Sequence, residues 1–330
     1  MKPLFFFLLL SFLVLSVTSF SQKIEVLTSG TKTSIRGLSV VNENIIWASG
    51  SGGKVARSTN GGKSFEWITV KGFEKNDFRD IEAFDSNTAV IMAVADPAYI
   101  LKTTNGGKDW KVVYSNDTKG MFLDAMDFYD SKHGMVIGDP INDTVFQATT
   151  SDGGDTWQVY NKYPIKVEKG EAFFASSGTN LKYLQDSYLL ASGGMVASFI
   201  YPGVSYKLNL LQGKESTGAN SIAYWKSRIV IVGGDFANDK DTTLNCVYRL
   251  MGPSSFKRPT TPPHGYRSCV AFITKNKLIA CGTSGIDIST DGGNNWTLIS
   301  NDSYHVCQKA KKGKAVFLAG GNGRISKLIE

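Results

Sequence analysis

The chain has 330 residues, of which 42% are hydrophobic and 20% charged, a balance that excludes a disordered chain and predicts a packed globular one. Glycine is abundant at 34 residues and proline scarce at 9, which suits many tight turns between short strands better than flexible linkers. The formal charge of +7 comes from scattered residues rather than a basic stripe, so a nucleic-acid binder is not expected. Even the densest cluster, Lys309, Lys311, Lys312 and Lys314, reads as solvated surface with a weak preference for acidic partners.

In chain order the first signal is a leader. Lys2 supplies a positive charge, Leu4 to Val17 form an apolar core, and Ser19-Phe20-Ser21 places small residues at the −3 and −1 positions. Residues 1–21 are therefore read as a signal peptide cleaved before Gln22, with export to the periplasm or beyond, and 22–330 as one domain. A membrane anchor is the competing reading, but the stretch is short for a bilayer and ends in a cleavage-like site. No later segment approaches roughly 18 continuous apolar residues, so the mature chain is not expected to insert in a membrane.

Beyond the leader one phrase recurs. It reads Ser58-Thr59-Asn60-Gly61-Gly62-Lys63-Ser64-Phe65, then Thr103 to Trp110 around Asn105, Thr150 to Trp157 around Asp152, and Ser289 to Trp296 around Asp291. The Asn/Asp positions are 45, 47 and 139 residues apart, so two further copies are expected inside the last gap. Met195–Tyr206 aligns on Lys54–Phe65 and Arg249–Phe256 on Arg57–Phe65, as decayed copies that keep the aromatic and one glycine. Each copy follows an apolar run and a Gly-rich turn and precedes a short alternating run. Four short strands in about 45 residues make one propeller blade.

The phrase has a physical reading. The Asn or Asp side chain accepts hydrogen bonds from amides just ahead, the glycines reach φ > 0, and the aromatic ring packs on the neighbouring blade. Asn60, Asn105, Asp152, Asp291, Trp110, Trp157 and Trp296 are thus structural. The C-terminal stretch Gly323–Glu330 reproduces the strand that leads into the phrase and then stops, so its blade lacks an outer strand. Lys23–Thr28 can supply it. The expected fold is all-β: a seven-bladed β-propeller of four-stranded antiparallel blades, closed by the N-terminal strand pairing with the C-terminal blade.

On these residues the sequence resembles the Asp-box (bacterial neuraminidase repeat) propellers. More narrowly it resembles the photosystem II stability/assembly factor-like family, which uses the Thr-x-Asp/Asn-Gly-Gly-x-x-Trp variant and seven blades. The resemblance covers nearly the whole mature chain and implies a fold more than a function, with a non-enzymatic protein-binding role from the assembly factors. Related secreted sequences are labelled oxidoreductases, but no cofactor motif supports that here. Gly50-Ser51-Gly52-Gly53 and Gly320 to Gly323 are turns between strands, not the start of a helix.

A binding site is expected at the channel mouth, where innermost strands begin. Aligning those strands places Arg36, Arg79 and Arg267 at one position in blades one, two and six, with His305 there in blade seven. Four consecutive blades then carry a basic arc suited to a carboxylate or phosphate. The other side reads as acidic: Asp124 and Asp127 in blade three, Glu171 in blade four, and the strand-end residues Asp96, Asp139 and Asp235. The plainer alternative pairs each arginine with a neighbouring carboxylate, as Arg79 beside Asp80 invites.

Three function classes follow. The first is a monomeric, non-catalytic binding or assembly module presenting the basic arc to an acidic peptide, a carboxylate or a glycan. The second is a sialidase-like glycoside hydrolase, with Tyr266 or Tyr304 as nucleophile, Glu171 as its partner and Asp80 as acid/base. Ser34-Ile35-Arg36-Gly37 departs from that family's aromatic-Arg-Ile-Pro motif, and seven blades from its six. The third is a lyase or quinoprotein using Ca²⁺ at Asp96, Asp139 and Asp235, though Asp before Pro is turn chemistry. Cys246, Cys269, Cys281 and Cys307 include no Cys-x-x-Cys pair, so no metal site or cofactor is expected. Cys269 and Cys281 flank a hairpin turn and should face each other, with buried free thiols favoured over disulfides.

Overall fold

The computed structural model describes residues 22–185, 187–250 and 255–329. The leader expected at 1–21 lies outside them, as do residues 251–254 of the second decayed copy. The described residues form seven antiparallel sheets arranged as the blades of one propeller. Blade 1 runs Ile35–Val40, Ile46–Gly50, Lys54–Ser58 and Glu66–Thr69; blade 2 runs Phe78–Ala83, Ala89–Ala93, Ala98–Thr103 and Lys111–Asn116. Blade 3 comprises Leu123–Phe128, Gly134–Ile141, Thr144–Thr150 and Gln158–Val159, and blade 4 Leu181–Leu184, Ser187–Ala191, Ser198–Tyr201 and Val204–Lys207. Blade 5 is built on Thr217–Trp225, Arg228–Asp235 and Cys246–Leu250, its fourth strand reduced to a bridge between Tyr248 and Lys257. Blade 6 is Cys269–Phe272, Leu278–Gly282, Gly285–Ser289 and Trp296–Ser300.

Blade 7 takes Val306–Lys309, Val316–Ala319 and Ile325–Ile329 from the C-terminus and Lys23–Thr28 from the N-terminus. The two ends pair antiparallel, Lys23 opposite Ile329 and Val26 opposite Ser326, so the ring closes as the sequence predicts. Closure removes two strand edges that would otherwise present unpaired amides and carbonyls.

The strands follow from burial. The second strands of blades 1, 2 and 6 are apolar runs buried at every residue, because a neighbouring blade covers each face. The outer strand Lys111–Asn116 is polar and largely exposed. Each apolar cluster spans neighbouring blades: Trp47, Val55, Phe78 and Ile91 between blades 1 and 2, and Ile100, Leu123, Val136 and Ala148 between blades 2 and 3. The core is thus a ring of seams with no single centre.

The recurring phrase locks the outer hairpins as its residues predict. Asn60 Oδ1 accepts the Ser64 amide at 3.0 Å, and the same bond runs from the Asp109, Thr156 and Asn295 amides to Asn105, Asp152 and Asp291. The Ser/Thr that opens the phrase adds a bond the sequence reading overlooks. Ser58, Thr103, Thr150 and Ser289 each accept the amide of the second glycine at 2.9–3.0 Å. That glycine must lack a side chain, because the turn lies on the preceding blade. A Cβ at Gly107 would approach Ile68 to 2.7 Å, and one at Gly154 would approach Val90 to 2.9 Å.

The decayed copies are repaired differently. In blade 4 the chain turns directly from Tyr201 to Val204 through Pro202-Gly203. At the seam of blades 4 and 5 the Arg249 guanidinium stacks 4.7 Å from the Phe199 ring centre and 4.6 Å from Phe256. All four cysteines are buried free thiols, and Cys269 lies opposite Cys281 as expected. Among the described residues no helix is long and apolar enough to cross a membrane.

Candidate functional site at the ring mouth

The innermost strands of blades 1, 2, 3 and 5 share a local irregularity. Their pairing slips at one residue, between Ile35 and Gly37, Phe78 and Asp80, Leu123 and Ala125, and Ala219 and Ser221. A bulge leaves the extra residue unpaired and re-aims its side chain. The bulged residues are Arg36, Arg79, Asp124 and Asn220. Arg36, Arg79 and Asn220 line one cup of about 510 Å³, together with His305, Tyr266, Asp139 and an aromatic wall that includes Phe122, Phe174 and Phe236.

The cup carries two guanidiniums and, in Asp139, a carboxylate that pairs with neither among the described residues. Arg79 Nε donates to Asp77 Oδ2 at 2.8 Å, so its partner is Asp77 and not Asp80, whose carboxylate turns inward to the Ile81 and Met126 amides. Arg36 has a single long bond, 3.4 Å from its NH1 to the Ser176 carbonyl. Burial, and then the neighbouring Arg79 charge, lower the Arg36 pKa. Two guanidiniums therefore share one paired carboxylate. His305 adds no charge at neutral pH. Burial, then Arg36, lower its pKa to about 4. Its Nδ1 lies 2.9 Å from the Ile35 carbonyl, so the neutral ring donates there and keeps Nε2 as an acceptor. Burial also raises Asp139, whose Oδ1 accepts the Phe173 amide.

Arg267 is a correction. The amides of Ile35, Arg267 and Tyr304 each bond a glycine carbonyl of the preceding blade: Gly320, Gly233 and Gly282. Arg267 is thus the counterpart of Ile35, and Ser268 the counterpart of Arg36. A slip of one residue in a strand reverses the face. Arg267 is 0% exposed and bonds Asp287, the carbonyls of Tyr266 and His264, and the Ser284 hydroxyl, leaving little to offer a ligand. For this arginine the plainer reading of pairing with a carboxylate is correct.

Glu171 and Asp124 also differ from expectation. Glu171 is not on the inner strand of blade 4, which is Leu181–Leu184. Glu171–Ala172 pairs with Gly193–Gly194, which joins the blade 5 sheet at Gly218. The Glu171 carboxylate accepts the Ser192 hydroxyl and the Glu168 amide. Asp124 does occupy the bulge position of blade 3, but it is 0% exposed, and neither oxygen has a well-formed hydrogen bond, the Ala175 amide giving only a weak favourable contact. Burial, reinforced by Asp139, raises its pKa well above the usual carboxylate range.

What covers Asp124 and floors the cup is a segment with no period to reveal it. Residues 172–179 precede the first strand of blade 4, Leu181–Leu184, and run across the channel before entering that blade. Phe173 donates to Asp139 of blade 3, Ser176 accepts Arg36 of blade 1, and its hydroxyl donates to Asn220 of blade 5. Ser177 donates to the Ser268 carbonyl of blade 6 at 2.7 Å, and a Cβ on Gly178 would meet the Asp80 carboxylate of blade 2 at 2.3 Å. Contacts with five other blades place the segment on the axis, as a plug. Asp127, read with the acidic side, instead accepts the Tyr183 amide and lies 3.7 Å from Lys182.

The groups required for glycoside hydrolysis are dispersed. The Tyr266 hydroxyl, raised to about 12 by burial, donates to Asn220, and Tyr304 pairs with Ser326. Neither tyrosine has a carboxylate partner among the described residues, and Asp80 lies beneath Gly178. Nor do the described residues hold three His, Cys, Asp or Glu placed to share a metal ion.

Fold and mouth together define a seven-bladed propeller with a plugged axis and a cation-walled cup. No family model and no curated relative matches the chain. Among solved structures it is similar to YCF48 bound to D1 peptide, at 17% identity and TM-score 0.66 over 93% of this chain and 95% of that one. YCF48 from Cyanidioschyzon merolae gives 16% identity and TM-score 0.66 over 93% and 98%. The WD40 propeller domain of Doa1 gives 10% and 0.61 over 94% and 97%. At these identities the likeness is one of fold.

Proposed function

We propose that this chain is an exported, monomeric, non-catalytic binding propeller whose cup grips a carboxylate-bearing peptide segment. The carrying observation is that Arg36, half-buried in one cup with Arg79, has no carboxylate partner among the described residues: Asp77 pairs with Arg79, and Asp139 accepts the Phe173 amide. A partly desolvated guanidinium lacking a counter-ion gains by meeting a carboxylate, which it engages through two parallel N–H groups. The facing ring of Phe174 lies 5.8 Å from Phe236, and Phe236 lies 6.3 Å from Tyr266, so an apolar side chain beside the carboxylate would be covered. A peptide on a propeller of like fold supports the reading.

The test uses residues 22–330 and a panel of labelled peptides with acidic or apolar C-termini, each made with a free and an amidated end. Binding is read by fluorescence anisotropy. Binding is expected to weaken with salt and to fall at least about thirty-fold in Arg36→Ala and in Arg79→Ala. The amidated arm separates a terminal carboxylate from an acidic side chain. Peptide binding unchanged in both variants, or turnover of a sialoside by the wild-type protein, would refute the proposal.

A further inference from the structure

We infer that the open cleft between blades 3 and 4 is a binding site for a neutral saccharide, separate from the mouth. The cleft lies at a seam where the glycine turn of the phrase is absent. Elsewhere the glycine turn of each phrase lies on the preceding blade: Gly107 on Ile68 and Trp47, Gly154 on Val90, and Gly293 on Val230. Blade 4 has lost the phrase and turns early through Pro202-Gly203, so no glycine turn covers the outer part of blade 3. That part meets instead the 160–167 segment, whose Ile165 carbonyl accepts the Val145 amide. Two adjoining cavities, about 610 and 260 Å³, open there and share Tyr163, Tyr188 and Pro202.

The lining chemistry is unlike the other seams. Three residues before the opening Ser/Thr of the phrase, blades 1, 2 and 6 carry Val55, Ile100 and Ile286, each 0% exposed and packed toward the next blade. Blade 3 carries Gln147 there, 2% exposed and lining the smaller cavity. Its Nε2 donates to the Tyr163 carbonyl at 3.4 Å, and its Oε1 has no hydrogen-bond partner. A buried acceptor left unpaired costs stability, so packing alone gives no reason for a glutamine in an apolar column.

Around it stand Tyr160, Tyr163, Tyr183, Tyr188 and Tyr201. The Tyr160 and Tyr163 rings are 6.4 Å apart, and Tyr163 is 61% exposed. Exposed aromatic faces beside hydroxyl and amide groups match the alternating C–H faces and hydroxyl edges of a pyranose. The nearby charged side chains are Lys166, which donates to Thr144, and Lys162, whose ammonium lies 5.4 Å from the Tyr163 ring centre. The unpartnered Gln147 Oε1, however, is an acceptor and asks for a donor, which a sugar hydroxyl supplies and a carboxylate does not. A proline-rich helix also docks on tyrosines, but its prolines bring carbonyl acceptors and no N–H, leaving Gln147 Oε1 unanswered. Sugar hydroxyls donate.

The test is a printed array of neutral and acidic glycans, with a proline-rich decapeptide on the same surface, probed with fluorescent residues 22–330. Saturable retention on neutral glycans is expected, weakened about ten-fold or more in Tyr163→Ala and in Gln147→Leu, with folding checked by thermal melting. Gln147→Leu restores the apolar residue of the other blades, so a purely packing role would leave retention intact. The inference fails if no glycan is retained, if acidic glycans alone are, if both variants bind as the wild type does, or if the decapeptide alone is held through Tyr163. None of these results bears on the mouth.

Discussion

The seam between blades 1 and 2 and the seam between blades 3 and 4 are the same piece of architecture with and without its fastening. In the first, Gly107 lies on Ile68 and the Trp110 ring meets Trp47 edge to face at 6.5 Å. In the second the turn is gone, Gln147 stands where blades 1, 2 and 6 carry an aliphatic residue, and Tyr163 is open to solvent. A repeat that keeps its turn spends its aromatic on stability; of the two that lose it, blade 5 is closed by Arg249 between Phe199 and Phe256, whereas blade 4 borders a cleft. The ring tolerates the loss because its other seams hold.

Substitutions can break this comparison. The largest effect is expected at a fastened seam: Trp296→Ala, at 2% exposure, should cost about 3–5 kcal/mol, while Tyr163→Ala in the open cleft should change stability by less than about 0.5 kcal/mol. Chemical denaturation of the two variants measures both. Equal losses would mean that the cleft is packed as tightly as the rest.

The arginines sharpen it next. Arg267→Met strands the buried Asp287 and should cost about 3 kcal/mol, most of it recovered by adding Asp287→Leu. Arg36→Ala, by contrast, relieves repulsion with Arg79 and should leave the melting temperature unchanged or raised, with peptide affinity lost instead.

A smaller effect carries a sign. Asp124 has its pKa raised by burial, so the folded state holds its proton more tightly than the unfolded chain. Stability attached to this group is full below the unfolded value and declines as pH rises toward the folded one. Asp124→Asn should therefore stabilise at neutral pH by about 1–2 kcal/mol, with the gain vanishing near pH 4. Melting curves at both pH values test it.

The smallest effect lies at the exposed Asp152. Partial burial would raise its pKa, but bonds from Thr156 and Thr150 outweigh that and hold it at about 2. Asp152→Ala should cost about 0.5 kcal/mol after solvent screening, present above the ordinary aspartate range and fading as pH falls toward 2.

Blade number and ring closure were legible because they rest on patterns that repeat. The phrase around Asn60 has one mechanical job, and the truncated Gly323–Glu330 stretch says where its missing partner must be. Arg36 and Arg79 were legible for the same reason, since their strands align without ambiguity. Arg267 was not, because a strand has a period of two and one misplaced residue exchanges core for rim. The amides of Tyr304 and Arg267 settle that register, and no side-chain pattern announces it. The plug was invisible in principle: Ala172 to Thr179 has no period, and its partners come from five blades. The tyrosine cleft left a trace that could have been read, in Gln147 interrupting a column of aliphatic residues and Tyr201 standing where Asn60 stands in blade 1.

Elsewhere in the ring Lys311 pairs with Glu82, and Lys182 lies 3.7 Å from Asp127. The plug has a further consequence for traffic. Gly178 lies where an added Cβ would meet the Asp80 carboxylate, and Ser176 and Ser177 tie the same segment to blades 1, 5 and 6, so a ligand that entered beside Arg36 would meet this segment and be expected to leave by the same mouth.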